Sequence, residues 1–170
     1  MKIEEQIKQK LKEAIDILKK FGMPSAQQNE RTAYCLLSLL NVTPEKEWKN
    51  AENPLVGITP MMTFAKEYYN KEYAPNTRET FRRFSTHQMV QAGIVLYNPD
   101  KLDRPVNSPN AVYQISPEAL EVIKAYKTSA FDALLAEFIK KQSTLSAQYA
   151  HEREMNMVSV KIKEGHHIQI

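Results

Sequence analysis

The chain of 170 residues has one cysteine, one tryptophan and four glycines. The lone Cys35 cannot close an internal disulfide, and a reduced, cytoplasmic setting is the default for such usage. It stands in Ala33-Tyr34-Cys35-Leu36-Leu37, a stretch that reads as packed helix, and nothing near it in sequence would lower a thiol pKa. So few glycines exclude a phosphate-cradling glycine loop. The longest apolar run, residues 33–40, is broken by Ser38 and falls short of the roughly 20 residues of a membrane span. Met1-Lys2-Ile3-Glu4-Glu5 is charged and lacks the apolar core of a secretory signal, so no membrane partner is expected. No metal-ligand cluster of recognisable spacing occurs; His151 and the adjacent His166 and His167 lie in a terminal segment, and no metal or cofactor is assigned to this chain.

What is present is ordinary for a folded protein: 42% apolar and 25% charged residues, enough to bury a core without staples. The net charge of +3 permits a nucleic-acid partner without demanding one, so the argument rests on where the charges sit. Ile3, Ile7, Leu11, Ile15 and Leu18 recur at helical spacing over residues 2–21, which Gly22-Met23-Pro24 ends. This face suits packing within the domain, with a dimer contact as the rival. A second helix is expected over 26–40 with Ser25 as its cap, and Thr43-Pro44-Glu45 has the form of another helix start. Thr59-Pro60 opens a short helix running to about residue 69. After a turn at 71–75, Asn76 is placed to cap a helix over 77–92 that Gly93 stops.

The period then changes. Residues 94–97 read as a strand, turn signals fill 98–111, and residues 112–115 read as the returning strand. Ser116-Pro117-Glu118 starts one further helix and another is expected over 129–141. The fold class is therefore mainly α: a winged helix-turn-helix with a short β-hairpin wing and additional flanking helices. Residues 1–141 are expected to form that DNA-binding domain, and 142–170 a linker followed by the start of a new strand at about 157–162.

On the helix over 77–92, Arg78, Arg82 and Thr86 recur every four residues and share a face, flanked by Arg83 and His87. Three arginines stand against one acid, Glu79. Arginine spans both acceptors of a guanine edge, while Asn76 and Thr77 sit where a helix start meets phosphate. The wing adds Lys101, Arg104, Asn107 and Ser108, suited to backbone or minor groove. The same residues also suit a solvated helix face and a plain polar loop.

Magnesium-dependent nucleases place an Asp at a strand end and, further on, an acid and a Lys one position apart, so that carboxylates hold the ion that activates water. Glu47-Trp48-Lys49 meets the second half of that pattern, but the upstream aspartate is Asp16, inside the first helix. Pro99-Asp100 resembles the first half and lies in the hairpin turn. No catalytic residue is assigned.

Several blocks resemble the BsuBI/PstI family of type II restriction endonucleases over residues 10–140. These are Gln27-Gln28-Asn29-Glu30-Arg31, Asn53-Pro54-Leu55-Val56-Gly57-Ile58-Thr59-Pro60, and Lys71-Glu72-Tyr73-Ala74-Pro75 with Asn76-Thr77-Arg78-Glu79-Thr80. Ala92-Gly93-Ile94-Val95-Leu96-Tyr97-Asn98-Pro99-Asp100 and Arg104-Pro105-Val106-Asn107-Ser108-Pro109 follow in order. The resemblance implies a helix-turn-helix half joined to a magnesium-dependent nuclease half, acting as a homodimer on a short palindrome in double-stranded DNA. The nuclease half is absent from these residues, which read as the recognition part of a longer or divided enzyme. Phe84 departs from the polar residue expected there, so the resemblance does not fix the target. A stand-alone winged-helix transcriptional regulator and a winged helix for protein contact remain open beside it.

Overall fold

In the computed structural model, residues 2–106 and 108–143 are described. Helix α1, Ile3–Lys20, turns Ala14, Ile17 and Leu18 inward, with Glu4 and Glu5 in its first turn and Lys19 and Lys20 in its last, complementing the helix dipole. Helix α2, Glu30–Leu40, is the buried centre: Ala33, Cys35, Leu37, Leu39 and Leu40 are fully enclosed. It starts later than the sequence suggests. Ser25–Gln27 form a separate 3-10 turn, and the cap is Asn29, whose side-chain oxygen accepts from the Thr32 amide at 2.9 Å. The polar run before Glu30 thus belongs to the approach, not to the helix.

Thr43-Pro44-Glu45 does not begin a helix either. A turn occupies it, and a 3-10 turn, Trp48–Asn50, follows. The reason is tertiary: Trp48 is buried and its indole donates to the Glu13 carboxylate at 3.1 Å, which pins this segment to α1. Glu13 also pairs with Lys127.

Helix α3, Ile58–Tyr69, ends at Asn70 in the left-handed region. The chain enters α4, residues 78–91, through a 3-10 turn, Pro75–Thr77. Asn76 does not cap it; the cap position is Thr77, which makes no side-chain cap bond. Inside α4, Arg82–Thr86 form a π-helical turn. Gly93, at φ +79°, lets the chain leave α4 for the sheet.

Strands β1, Val95–Tyr97, and β2, Tyr113–Ile115, pair antiparallel in the register Val95↔Ile115, Leu96↔Gln114 and Tyr97↔Tyr113. A bridge between Val56 and Tyr113 adds a third, one-residue strand leading into α3. Nothing in the alternation around Val56 signals that bridge. Helix α5, Pro117–Lys124, is capped by Ser116, which accepts from the Ala119 amide at 3.2 Å. Helix α6, residues 131–143, returns to α1, where Phe138 packs edge-on against Phe21 with ring centroids 5.1 Å apart. The order is a winged helix-turn-helix built from α2, α3, α4 and the hairpin, with α1, α5 and α6 flanking it. Of the linker and new strand expected from residue 142 onward, residues 142 and 143 continue α6, and the rest lies outside the described residues.

Candidate DNA-binding face

The core holds α4 by its inner row, Phe81, Ser85 and Met89, all fully buried. Ser85 is a polar member of that row because α2 supplies its partners. Arg31 Nε donates to its hydroxyl at 2.9 Å, and Thr32 Oγ1 lies 2.9 Å from it. Tyr73 packs edge-on against Phe81 at 4.8 Å and closes the turn between α3 and α4. These contacts fix α4 against α2 and the turn that follows α3.

On that face Arg78 is exposed and forms no hydrogen bond or ion pair among the described residues. Arg82 is partly covered, and its guanidinium grips the Glu79 carboxylate through Nε at 3.0 Å and Nη2 at 2.5 Å. That contact holds the Glu79 carboxyl below its ordinary pKa. Arg83 is exposed, its guanidinium carbon 5.5 Å from the centre of the Phe84 ring. Phe84 itself is exposed, so it belongs to the surface and not to the core.

Thr86 is a correction. It is fully buried, and its hydroxyl donates to the Arg82 carbonyl at 2.9 Å and the Phe81 carbonyl at 3.2 Å. A π turn uses more residues than an α turn, so Thr86 falls short of the row of Arg78 and Arg82 and points back toward the core. It cannot touch DNA. His87 is half-buried and faces the hairpin: its Nε2 lies 2.9 Å from the Tyr113 hydroxyl, and its ring packs on Tyr97 and Tyr113. Burial pushes its pKa down, and the Arg82 charge adds to this, so the ring is neutral near pH 7.

Of the residues ahead of α4, Asn76 is exposed, and Thr77 donates its hydroxyl to the Ala74 carbonyl at 2.6 Å. In the wing Lys101 is exposed, whereas Arg104 is committed. Its guanidinium donates to both Asp100 oxygens, at 3.0 and 2.9 Å, and to Asn98 Oδ1 at 2.9 Å. The same Asn98 oxygen accepts from the Val112 amide at 2.9 Å, and Asn98 is buried at φ 49°. Arg104 is therefore a clamp across the base of the wing rather than a free phosphate contact. Asn107 lies outside the described residues.

Between α4, the start of α3 and the wing lies a cleft of about 410 Å³, bordered by Arg78, Glu79, Arg82, Tyr97, Thr59 and Ser108. The sequence reading missed Glu79 as a member of this face, although its spacing of three from Arg82 is the signal that could have found it. It also missed the Arg31–Ser85–Thr32 network, which no local pattern announces.

Comparison with known proteins identifies the family to which this helix-turn-helix chain belongs. Residues 8–147 match the family described as BsuBI/PstI restriction endonuclease HTH domain. The chain belongs to that family. It is 59% identical over 160 residues to "Type II restriction enzyme BsuBI" of Bacillus subtilis, covering 94% of this chain and 51% of the relative. It is 34% identical over 164 residues to "Type II restriction enzyme AplI" of Arthrospira platensis, covering 96% of this chain and 50% of the relative. The chain thus spans about half the length of the curated relatives it matches. A solved structure, "Structure of SdaI restriction endonuclease", superimposes with a TM-score of 0.73 at 35% identity, over 75% of this chain and 40% of that one.

A catalytic magnesium, which this family name suggests, does not fit the described residues. Among them no group of three or more His, Cys, Asp or Glu is arranged to hold a metal ion. Asp100 is held by Arg104, and Glu47 pairs with Lys49 at 3.1 Å on the surface, with Trp48 buried between them. No described helix is long and apolar enough to cross a membrane.

Proposed function

We propose that this domain recognises double-stranded DNA as the helix-turn-helix half of a type II restriction endonuclease, with α4 in the major groove and the wing against the neighbouring backbone. The observation that carries this is the outer face of α4, where Arg78 and Arg82 border the cleft that the wing walls and Arg83 lies on the adjoining surface with Arg82 and His87. Arg78 and Arg82 are the base or phosphate contacts nearest the wing, and Arg83 extends the face along the helix. Asn76, Thr77 and Lys101 support them at the phosphates. His87 contributes by fixing α4 to the hairpin, and Arg104 by holding the wing in shape.

In the same reading the whole enzyme is a cytoplasmic homodimer that cuts a short palindrome, since two identical half-sites require two copies related by a twofold axis. In that reading magnesium-dependent hydrolysis is the work of a nuclease half, whose carboxylates would hold the ion that activates water.

The test is selection of bound duplexes from a random library at near-physiological salt. Enrichment of a palindrome or its half-site supports base readout by this domain. Binding that is salt-sensitive but unenriched reduces the domain to a phosphate clamp. Absence of binding overturns the reading.

A further inference from the structure

Glu79 is out of place on a face meant for phosphates. A carboxylate there repels the DNA backbone and weakens association. Its position is nonetheless definite, because both of its oxygens are engaged by Arg82. The neighbouring arginines are treated differently: Arg78 has no such partner, and Arg83 lies over the Phe84 ring.

The atoms involved decide what remains free. A guanidinium carries five N–H donors. The bonds to Glu79 use Nε and one hydrogen of Nη2, the side edge of the fork. Three N–H groups are left, and they include the forward pair on Nη1 and Nη2. That pair has the span needed for O6 and N7 of one guanine. The other end of the residue is also fixed, since the Arg82 carbonyl accepts from the buried Thr86 hydroxyl at 2.9 Å. Both residues border the cleft between α4 and the wing.

We infer that Glu79 is a specificity-determining positioning residue, whose carboxylate holds the side edge of Arg82 so that its forward edge meets a guanine. The inference rests on the DNA-recognition reading above. Two consequences separate it from an ordinary surface ion pair. Loss of Glu79 weakens discrimination at a single guanine, because an untethered arginine must be ordered on binding and can turn to a phosphate instead. Loss of Glu79 also leaves non-specific binding equal or tighter, because a negative charge has left the face.

The experiment uses the 170-residue chain and its variants Glu79→Ala, Glu79→Gln and Arg82→Ala. The probes are the duplex recovered by selection, a scrambled duplex, and versions of the first in which each guanine in turn is 7-deazaguanine, which lacks the N7 acceptor. The parent chain is expected to lose about tenfold in affinity at one guanine, one bond of a bidentate pair. Arg82→Ala abolishes that loss. Glu79→Ala reduces it to below about threefold while the scrambled duplex binds as well or better, and Glu79→Gln, which keeps one acceptor oxygen, falls between. The inference is overturned if Glu79→Ala keeps the full loss at that guanine, if it weakens all duplexes evenly, or if no guanine depends on Arg82. Failure of the selection itself would instead remove the recognition reading, and this inference with it.

Discussion

Replacing Thr86 separates a contact inferred from helical spacing from a group that works inside the protein. By spacing, Thr86 shares the exposed row of Arg78 and Arg82; in the fold it is 0% exposed and its hydroxyl closes the π turn. Thr86→Val keeps the shape and removes the donor. The two carbonyls keep backbone partners at π spacing, so the expected cost is that of one buried hydrogen bond, about 1 kcal/mol. For a domain of this size that lowers Tm by about 2–4 °C. Thr86→Ser keeps the hydroxyl and loses a buried methyl, at about 0.8 kcal/mol. Thr86→Ala loses both, so its destabilisation should approach the sum, about 2 kcal/mol, if the site does not collapse. None of the three should change DNA affinity by more than about twofold below the melting transition, since a side chain without exposure gives up no contact. Thermal melts followed by circular dichroism, with anisotropy titrations on the selected duplex, read both quantities. A variant that melts like the parent but binds about tenfold more weakly would refute the buried placement and restore the contact.

His87 carries a pH dependence. Its folded pKa lies below the ordinary value of about 6.5, chiefly through burial against Tyr97 and Tyr113 and then through the Arg82 charge, with Glu79 opposing. A depressed folded value means the unfolded chain takes the proton first. The stability this histidine contributes is whole above about pH 6.5 and is lost as pH falls through the folded value. His87→Gln should flatten the melting temperature between about pH 7 and pH 5, and an unchanged slope would contradict the burial argument. In the wing, Lys101→Ala should reduce the slope of log K against log salt by about 0.9, the share of one phosphate. Arg104→Ala should instead leave that slope nearly as it is and speed hydrogen exchange at the Val112 amide, whose acceptor Asn98 it helps to hold. A slope lost equally in both variants would return Arg104 to the DNA.

The local elements of this protein are legible in the sequence because they depend on short-range physics. The three-and-four spacing of α1, the Ser116-Pro117-Glu118 cap of α5 and the stop at Gly93 each act within one turn of chain. The turn signals between β1 and β2 gave the hairpin, and with α3 and α4 before it the winged helix-turn-helix followed. The arginine content of α4 was equally plain. What the sequence could not decide was which of its polar residues remain free. Arg31 and Thr32 on α2 meet Ser85, 54 and 53 residues away, and the π turn between Phe81 and His87 carries Thr86 inward. Trp48 reaches Glu13 and turns an expected helix start into a pinned loop. Arg104 is taken by Asp100 and Asn98 before any phosphate arrives. Sequence spacing ranks residues by the angle an ideal helix would give them. Tertiary packing changes that angle and assigns hydrogen-bond partners, because a buried donor without an acceptor costs more than a local distortion.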